Sequence, residues 1–238
     1  MSASAIVLQA RMGSTRLPGK ALAGLAGRSI LAHCVERLRA TSGLPVVLAT
    51  TTGAADDILC EAGEHLGVTV VRGASDDVLG RFVQVALMLE LTHLVRATCD
   101  NPGVDMDSPR RTLDLLQRTG ADHVAEYGLP YGAGVEAVSV EALVRAAELT
   151  SDPYDREHVT PFLRHDSRFV AVTAIGPGHL RCPELCLSVD TPEDLDFMRR
   201  LYAVAETDSP RPVNLAVLMN AARLLRPAVD DDGLRDVR

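Results

Sequence analysis

Residues 7–22 read VLQARMGSTRLPGKAL. An apolar run leads into a loop that holds Arg11, Gly13, Ser14, Thr15, Arg16 and Gly19, and the loop ends on Lys20, the only lysine among 24 basic residues. Glycines let backbone N–H groups approach a phosphate, the two hydroxyls can donate, and Arg11 and Lys20 neutralise charge. The stretch therefore reads as an anion-binding loop at the carboxyl end of a strand over residues 5–9. It is not a Walker A loop, which needs GxxxxGK followed by Ser or Thr: five residues separate Gly13 from Gly19, and Ala21 follows Lys20. The dinucleotide pattern GxGxxG is absent as well.

Outward from this loop, valine-rich apolar runs recur at residues 46–50, 68–72 and 93–97, as buried parallel strands do. Helical stretches lie between them: residues 29–41 open on a serine cap, 54–66 carry an acidic first turn, and 76–91 repeat apolar residues at spacings of three and four. This alternation predicts an α/β fold, a Rossmann-like doubly wound and mostly parallel sheet with its ligand crevice at the carboxyl ends of the strands. Residues 50–53, 72–77 and 98–105 then join the loop there. A helix beyond Asp107, a strand near 122–125, a less regular stretch over 127–165 with a helix at 140–150, strands near 169–174 and 185–189, and a helix opening at DTPEDL follow. Residues 127–165 read as an inserted segment around a second substrate or a subunit contact. We expect one domain over 1–225 and a tail over 226–238.

The 238 residues suffice for a substantial core. A formal net charge of −8 argues against nonspecific nucleic-acid binding, which rewards a basic surface. The five cysteines are odd in number, and Cys182 and Cys186 have no companion pair at zinc spacing. No signal-peptide pattern opens the chain and its apolar runs are too short to span a bilayer, so a reducing, cytoplasmic location is expected.

Six stretches, in order, carry a resemblance: QARMGSTRLPGK (9–20), GASDDVLGRF (73–82), TCDNPGVD (98–105), GVEAVSVEAL (134–143), REHVTPFL (156–163) and VDTPEDLDFMR (189–199). The chain resembles the CTP-dependent cytidylyltransferases related to the spore-coat polysaccharide proteins and the CMP-sugar-acid synthetases. The resemblance implies a nucleotide-diphospho-sugar transferase type of fold and transfer of CMP from CTP with release of pyrophosphate. It also implies a homodimer formed through the 127–165 segment, and Asp100 and Asp190 as metal ligands. The chemistry agrees, since nucleotidyl transfer needs a dication such as Mg2+ to screen the triphosphate, and each aspartate follows a predicted strand and precedes a proline-containing turn. Asp190 could instead cap the helix that starts at TPEDL.

On this reading Arg11 and Lys20 are catalytic, stabilising charge that moves to the leaving group, and Gly13, Ser14, Thr15 and Arg16 cradle the triphosphate. Arg72, Asp76, Asp77 and Thr98 are expected near the base, although Asp77 and Arg81 at i, i+4 could simply pair with each other. Glu136, Arg156 and His158 are expected at the acceptor. A sugar hydroxyl must lose a proton to attack, whereas a phosphonate oxygen arrives anionic; no residue announces itself as a dedicated base, which favours an anionic acceptor without deciding between a sugar acid and a phosphonate. Arg156, His158 and Arg181 offer cationic groups to it, and with four tyrosines and four phenylalanines no aromatic platform is evident. The apolar Leu129, Val135, Val138 and Leu143 do not all fit the main core, which again suggests a dimer. Two other functions suit parts of the pattern: a glycosyltransferase holding its metal on the DMD of residues 105–107, and a catalytically silent nucleotide-binding protein. Against the first, Asp107, Ser108 and Pro109 read as a helix start.

Overall fold

Within each central strand, alternate residues serve opposite faces of one sheet. The computed structural model describes residues 3–207 and 211–225, so the tail expected from residue 226 lies outside the described residues. The strands are β1 (Ser4–Gln9), β2 (Gly24–Leu25), β3 (Arg28–Ser29), β4 (Val46–Thr51), β5 (Thr69–Gly73), β6 (His93–Thr98), β7 (His123–Tyr127), β8 (Glu136–Ser139) and β9 (Ala171–Ile175). β2 and β3 form a small antiparallel pair, and the other seven form a sheet in the order β5-β4-β1-β6-β8-β7-β9. Only β8 runs antiparallel to its neighbours.

The helices are α1 (Ile30–Ala40), α2 (Asp57–His65), α3 (Val78–Met88), α4 (Ser108–Thr119), α5 (Val140–Leu149), α6 (Pro153–His158), α7 (Pro161–His165), α8 (Pro192–Ala205) and α9 (Leu215–Leu225). Ile6, Leu8, Val46 and Leu48 pack with α1, α2, α4, α8 and α9 in one core. Ala5, Val7, Val47 and Ala49 pack with α3, α5 and α7 in a second core on the other face. Residues 5–8 and 46–49 are apolar without interruption because both faces of their strands are covered. Sequence-encoded caps start the helices: Ser29 Oγ accepts from Ala32 N at 3.1 Å, and Ser139 Oγ from Ala142 N at 3.1 Å.

The chain runs outward from β1 to β4 and β5, then returns to place β6 on the other side of β1. The strand order reverses at β1 and β6, which opens a crevice beyond their carboxyl ends, where Gln9 and Thr98 lie side by side in register.

Within the segment read as inserted, residues 136–139 join the sheet as β8, between β6 and β7. Two expectations change. Leu129, Val135, Val138 and Leu143 are all buried within the chain, so a dimer is not needed to cover them. Residues 185–189 form no strand of the sheet. They run beside Tyr131, whose N–H donates to Leu185 O and whose carbonyl accepts from Leu187 N, both at 2.8 Å.

Candidate active site

A cleft of about 840 Å³ occupies the crevice. Gln9, Arg11, Gly13, Ser14, Thr15, Arg16 and Lys20 line one side, and Thr98, Asp100 and Asp190 line the floor. The loop is folded about the Met12 peptide, whose carbonyl accepts from Ser14 N at 2.9 Å and Gly19 N at 3.0 Å. Gly19 sits at φ +72°, in the left-handed region that favours glycine. Met12 N donates to Asp56 Oδ1 at 2.7 Å, and Thr51 Oγ1 donates to Oδ2 of the same carboxylate. Asp56 is only 4% exposed and ties the glycine loop to the end of β4. Reading the sequence missed it, since its partners lie 5 and 44 positions away and nothing local marks it.

Lys20 is the centre of the arrangement. Its ammonium donates to Asp100 Oδ2 at 3.1 Å, Asp190 Oδ1 at 2.9 Å and Val189 O at 3.1 Å. Arg16 adds a second cation on Asp190 Oδ1 at 3.2 Å. Burial pulls the Lys20 pKa down, but Asp100 and Asp190 outweigh it and hold the group above its ordinary value, so it is charged at neutral pH. The two aspartates meet because Val189 N donates to Asp100 O at 2.7 Å, which ties the turn after β6 to the segment before α8. Asp190 is not the cap of α8. Thr191 fills that role, its hydroxyl accepting from Asp194 N at 3.2 Å while Asp194 Oδ2 accepts from Thr191 N at 2.8 Å. The Asp190 side chain is thereby left to the cleft.

Gly132, at φ +84°, passes close to this floor: a Cβ there would meet Asn101 Oδ1 at 2.7 Å and Ser188 N at 2.9 Å. Thr98 Oγ1 accepts from Asn101 Nδ2 at 2.8 Å.

Four residues expected at the ligand do not line the cleft. Arg72 donates to Thr51 O and Gly53 O and pairs with Asp57 at 2.7 Å, bracing the loop before α2. Asp76 is exposed beside α3. Asp77 caps α3 through Gly80 N at 2.8 Å and pairs with Arg156, not with Arg81. Burial alone would raise the Asp77 pKa, but the Arg156 pair and the Gly80 N–H hold it below the ordinary carboxylate value. Arg156 is committed to Asp77 and to Ala147 O, and so is turned away from the acceptor side. Arg181, also expected near the crevice, does not line it either.

Glu136 and His158 do line the cleft. Glu136 faces Arg96 across β6 and β8 and accepts from Arg96 at 2.7 Å, His123 Nε2 at 3.0 Å and Thr160 Oγ1 at 3.0 Å. Burial would raise its pKa, but these partners bring it down to about 2. Its oxygens are already occupied, so it organises the far wall. His158 stacks on Tyr154, ring centroids 4.4 Å apart. Val159 follows at φ +73°, unusual for a β-branched residue, in a tight turn closed by Thr160 N donating to His158 O at 2.9 Å. That turn sets both neighbours against the cleft.

Among the described residues, three buried side-chain atoms of residues that line the cleft have no hydrogen-bond partner: Gln9 Oε1, Arg81 Nε and Arg96 Nε. Buried groups of this kind await a ligand or stay costly. The mouth also carries Tyr127, Tyr131 and Tyr154, 67%, 66% and 61% exposed. Three of the four tyrosines thus gather at the cleft, and the expectation that no aromatic platform exists is wrong. By contrast Asp105 of the DMD segment is buried against Arg111 at 2.7 Å and lies outside the cleft lining, which removes the basis for a glycosyltransferase metal pair there.

This sheet, with a cleft at its reversal, finds a counterpart among known proteins. A cytidylyltransferase family model matches residues 5–223. The chain belongs to the cytidylyltransferase family. Among the relatives of this cytidylyltransferase is the spore coat polysaccharide biosynthesis protein SpsF of Bacillus subtilis, 33% identical over 84% of this chain and 86% of that protein. The 3-deoxy-manno-octulosonate cytidylyltransferase of Idiomarina loihiensis is 27% identical over 74% and 76%. A cytidylyltransferase from Leptospira borgpetersenii superposes with a TM-score of 0.85 at 26% identity, covering 94% of this chain and 95% of that one. The protein is a nucleotidyltransferase, and its sheet is that of the family.

Proposed function

We propose that this cytidylyltransferase transfers CMP from CTP to a small anionic acceptor and releases pyrophosphate. The convergence of Lys20, Asp100 and Asp190 beside the glycine loop carries the reading. The loop N–H groups, Ser14, Thr15, Arg11, Arg16 and Lys20 bind the triphosphate, and Lys20 and Arg11 stabilise the charge that shifts to the leaving pyrophosphate. Arg11 first has to leave Glu157, which it pairs at 2.9 Å with both side chains partly exposed, so that bond costs little to break.

Asp100 and Asp190 suit a divalent cation. With Val189 O they already surround a cationic group with oxygens, and magnesium takes one or two carboxylates together with substrate phosphates and water. Mg2+ there would screen the triphosphate and activate the α-phosphate toward attack.

For the acceptor, the basic residues that line the cleft beyond the glycine loop are Arg81, Arg96, His158 and Arg164, whereas Arg156 and Arg181 do not line it. Together with the exposed tyrosines they favour an acceptor that pairs an acid with a stackable ring face, as a sugar acid does, over a compact phosphonate. Self-association into a homodimer rests on the open edge of β9, an uncharged strand that follows exposed Val170 and ends on exposed Ile175. The acceptor reading is tested by pyrophosphate release with CTP and a panel of 2-keto sugar acids, phosphonates and neutral sugar phosphates. Sugar acids should give the highest kcat/KM. A neutral sugar phosphate preferred with UTP would refute both assignments.

A further inference from the structure

The Lys20 ammonium has three N–H bonds, and three oxygens take them: Asp100 Oδ2 at 3.1 Å, Asp190 Oδ1 at 2.9 Å and Val189 O at 3.1 Å. Arg16 also pairs with Asp190 Oδ1 at 3.2 Å. The two carboxylates are therefore balanced charge for charge by residues of the chain itself. A dication cannot reach the same oxygens while the ammonium holds them, because two cations at contact distance repel.

We infer that Lys20 is a resident counter-ion that closes the metal site until a nucleoside triphosphate draws it away, so that metal and nucleotide enter together. This rests on the proposed role of Asp100 and Asp190 as metal ligands. The triphosphate gives Lys20 and Arg16 new partners, since both side chains line the same cleft as Gly13, Ser14 and Thr15. The flexible stem of a lysine allows its head group to swing with no change in the backbone. Two consequences follow. The free protein binds a divalent cation weakly, and nucleotide strengthens that binding; by linkage the cation strengthens nucleotide binding by the same factor. Lys20 is thus more than a charge for the leaving group, because it sets the order in which the ligands assemble.

The experiment measures Mn2+ binding to the full chain by the electron paramagnetic resonance signal of free Mn2+. It is run with and without a non-hydrolysable CTP analogue whose own Mn2+ affinity is measured separately. For the parent protein we expect weak binding alone and at least tenfold tighter binding with the analogue, after correction for the analogue itself. Lys20→Met should bind Mn2+ at least tenfold more tightly than the parent in the absence of nucleotide, with the enhancement by the analogue much reduced. Lys20→Gln, which removes the charge but keeps polar contacts, should behave the same way and serves if the methionine variant melts early. Adding Asp100→Asn to either variant should abolish the gain, which identifies the site. Equal or weaker Mn2+ binding by both folded variants overturns the inference, as does parent binding that is indifferent to the analogue; both leave the metal reading standing. No Mn2+ binding in any sample, analogue included, overturns the metal reading and the inference with it.

Discussion

Asp56→Ala isolates what holds the glycine loop of residues 11–20 in shape. The carboxylate is 4% exposed and accepts from Met12 N at 2.7 Å and from Thr51 Oγ1. Hydrogen bonds to a charged group contribute about 1.5–3 kcal/mol each, and truncation leaves a buried N–H and a buried hydroxyl without their partner. Relief from keeping a carboxylate out of water offsets part of this, so global stability should fall by about 1–3 kcal/mol. The larger effect is on the ligand. The Met12 carbonyl accepts from Ser14 N and Gly19 N, so a Met12 peptide free to rotate unsettles the whole loop. A loss of about 1.4–2.8 kcal/mol of transition-state stabilisation corresponds to a 10- to 100-fold fall in kcat/KM for CTP. Asp56→Asn keeps an oxygen toward Met12 N and should recover all but about threefold of that loss. The assay is pyrophosphate release against CTP concentration, paired with hydrogen exchange at Ser14 and Gly19, which should quicken in the alanine variant and not in the asparagine one. A folded Asp56→Ala protein within twofold of the parent would refute the reasoning, and so would an asparagine variant as impaired as the alanine.

Asp190→Asn leaves the cap of α8 intact, because Thr191 and Asp194 supply it; the variant should melt near the parent yet need at least about tenfold more Mg2+ for half-maximal turnover. Glu136 contributes to acid stability. Its folded pKa of about 2 lies below the ordinary 4.5, so its contribution of about 3 kcal/mol is complete above about pH 4.5 and disappears as the pH falls toward 2. Glu136→Gln should be less stable than the parent at pH 7, and denaturant titrations should show that gap narrowing by pH 3. Gly132→Ala forces an L-residue to φ +84° and drives its Cβ against Ser188 N, so a loss of about 2 kcal/mol or more is expected in thermal unfolding.

The layered sheet was legible because its signals are local. Valine-rich runs covered on both faces, Ser29 before an amphipathic stretch, and a threonine–proline start at residues 191–192 each imply their element without knowledge of the rest. The core of the site was legible in part: Lys20 and Asp100 lie in the loops after β1 and β6, whose carboxyl ends adjoin, whereas Asp190 follows no strand of the sheet and meets them because Val189 N donates to Asp100 O. Convergence to one edge does not say which partner a side chain finds. Arg72, Asp77 and Arg156 reach that edge but take nearer partners, in Asp57 and in each other. Asp56 and the Arg96–Glu136–His123 wall depend on contacts between distant segments, the wall on a strand that enters the sheet against the prevailing direction. That three of the four tyrosines gather at the cleft was not legible, because composition says nothing of where residues meet.

CMP transfer from CTP with Lys20 stabilising the departing pyrophosphate is tested most directly by its products. With a sugar acid as acceptor and Mg2+ present, product analysis of the purified protein should show a CMP conjugate and pyrophosphate in equal amounts. CTP should be preferred to UTP, and Lys20→Ala should reduce kcat by about 100-fold or more while remaining folded. Pyrophosphate release that is unchanged in Lys20→Ala, or that proceeds equally well with UTP, would contradict it.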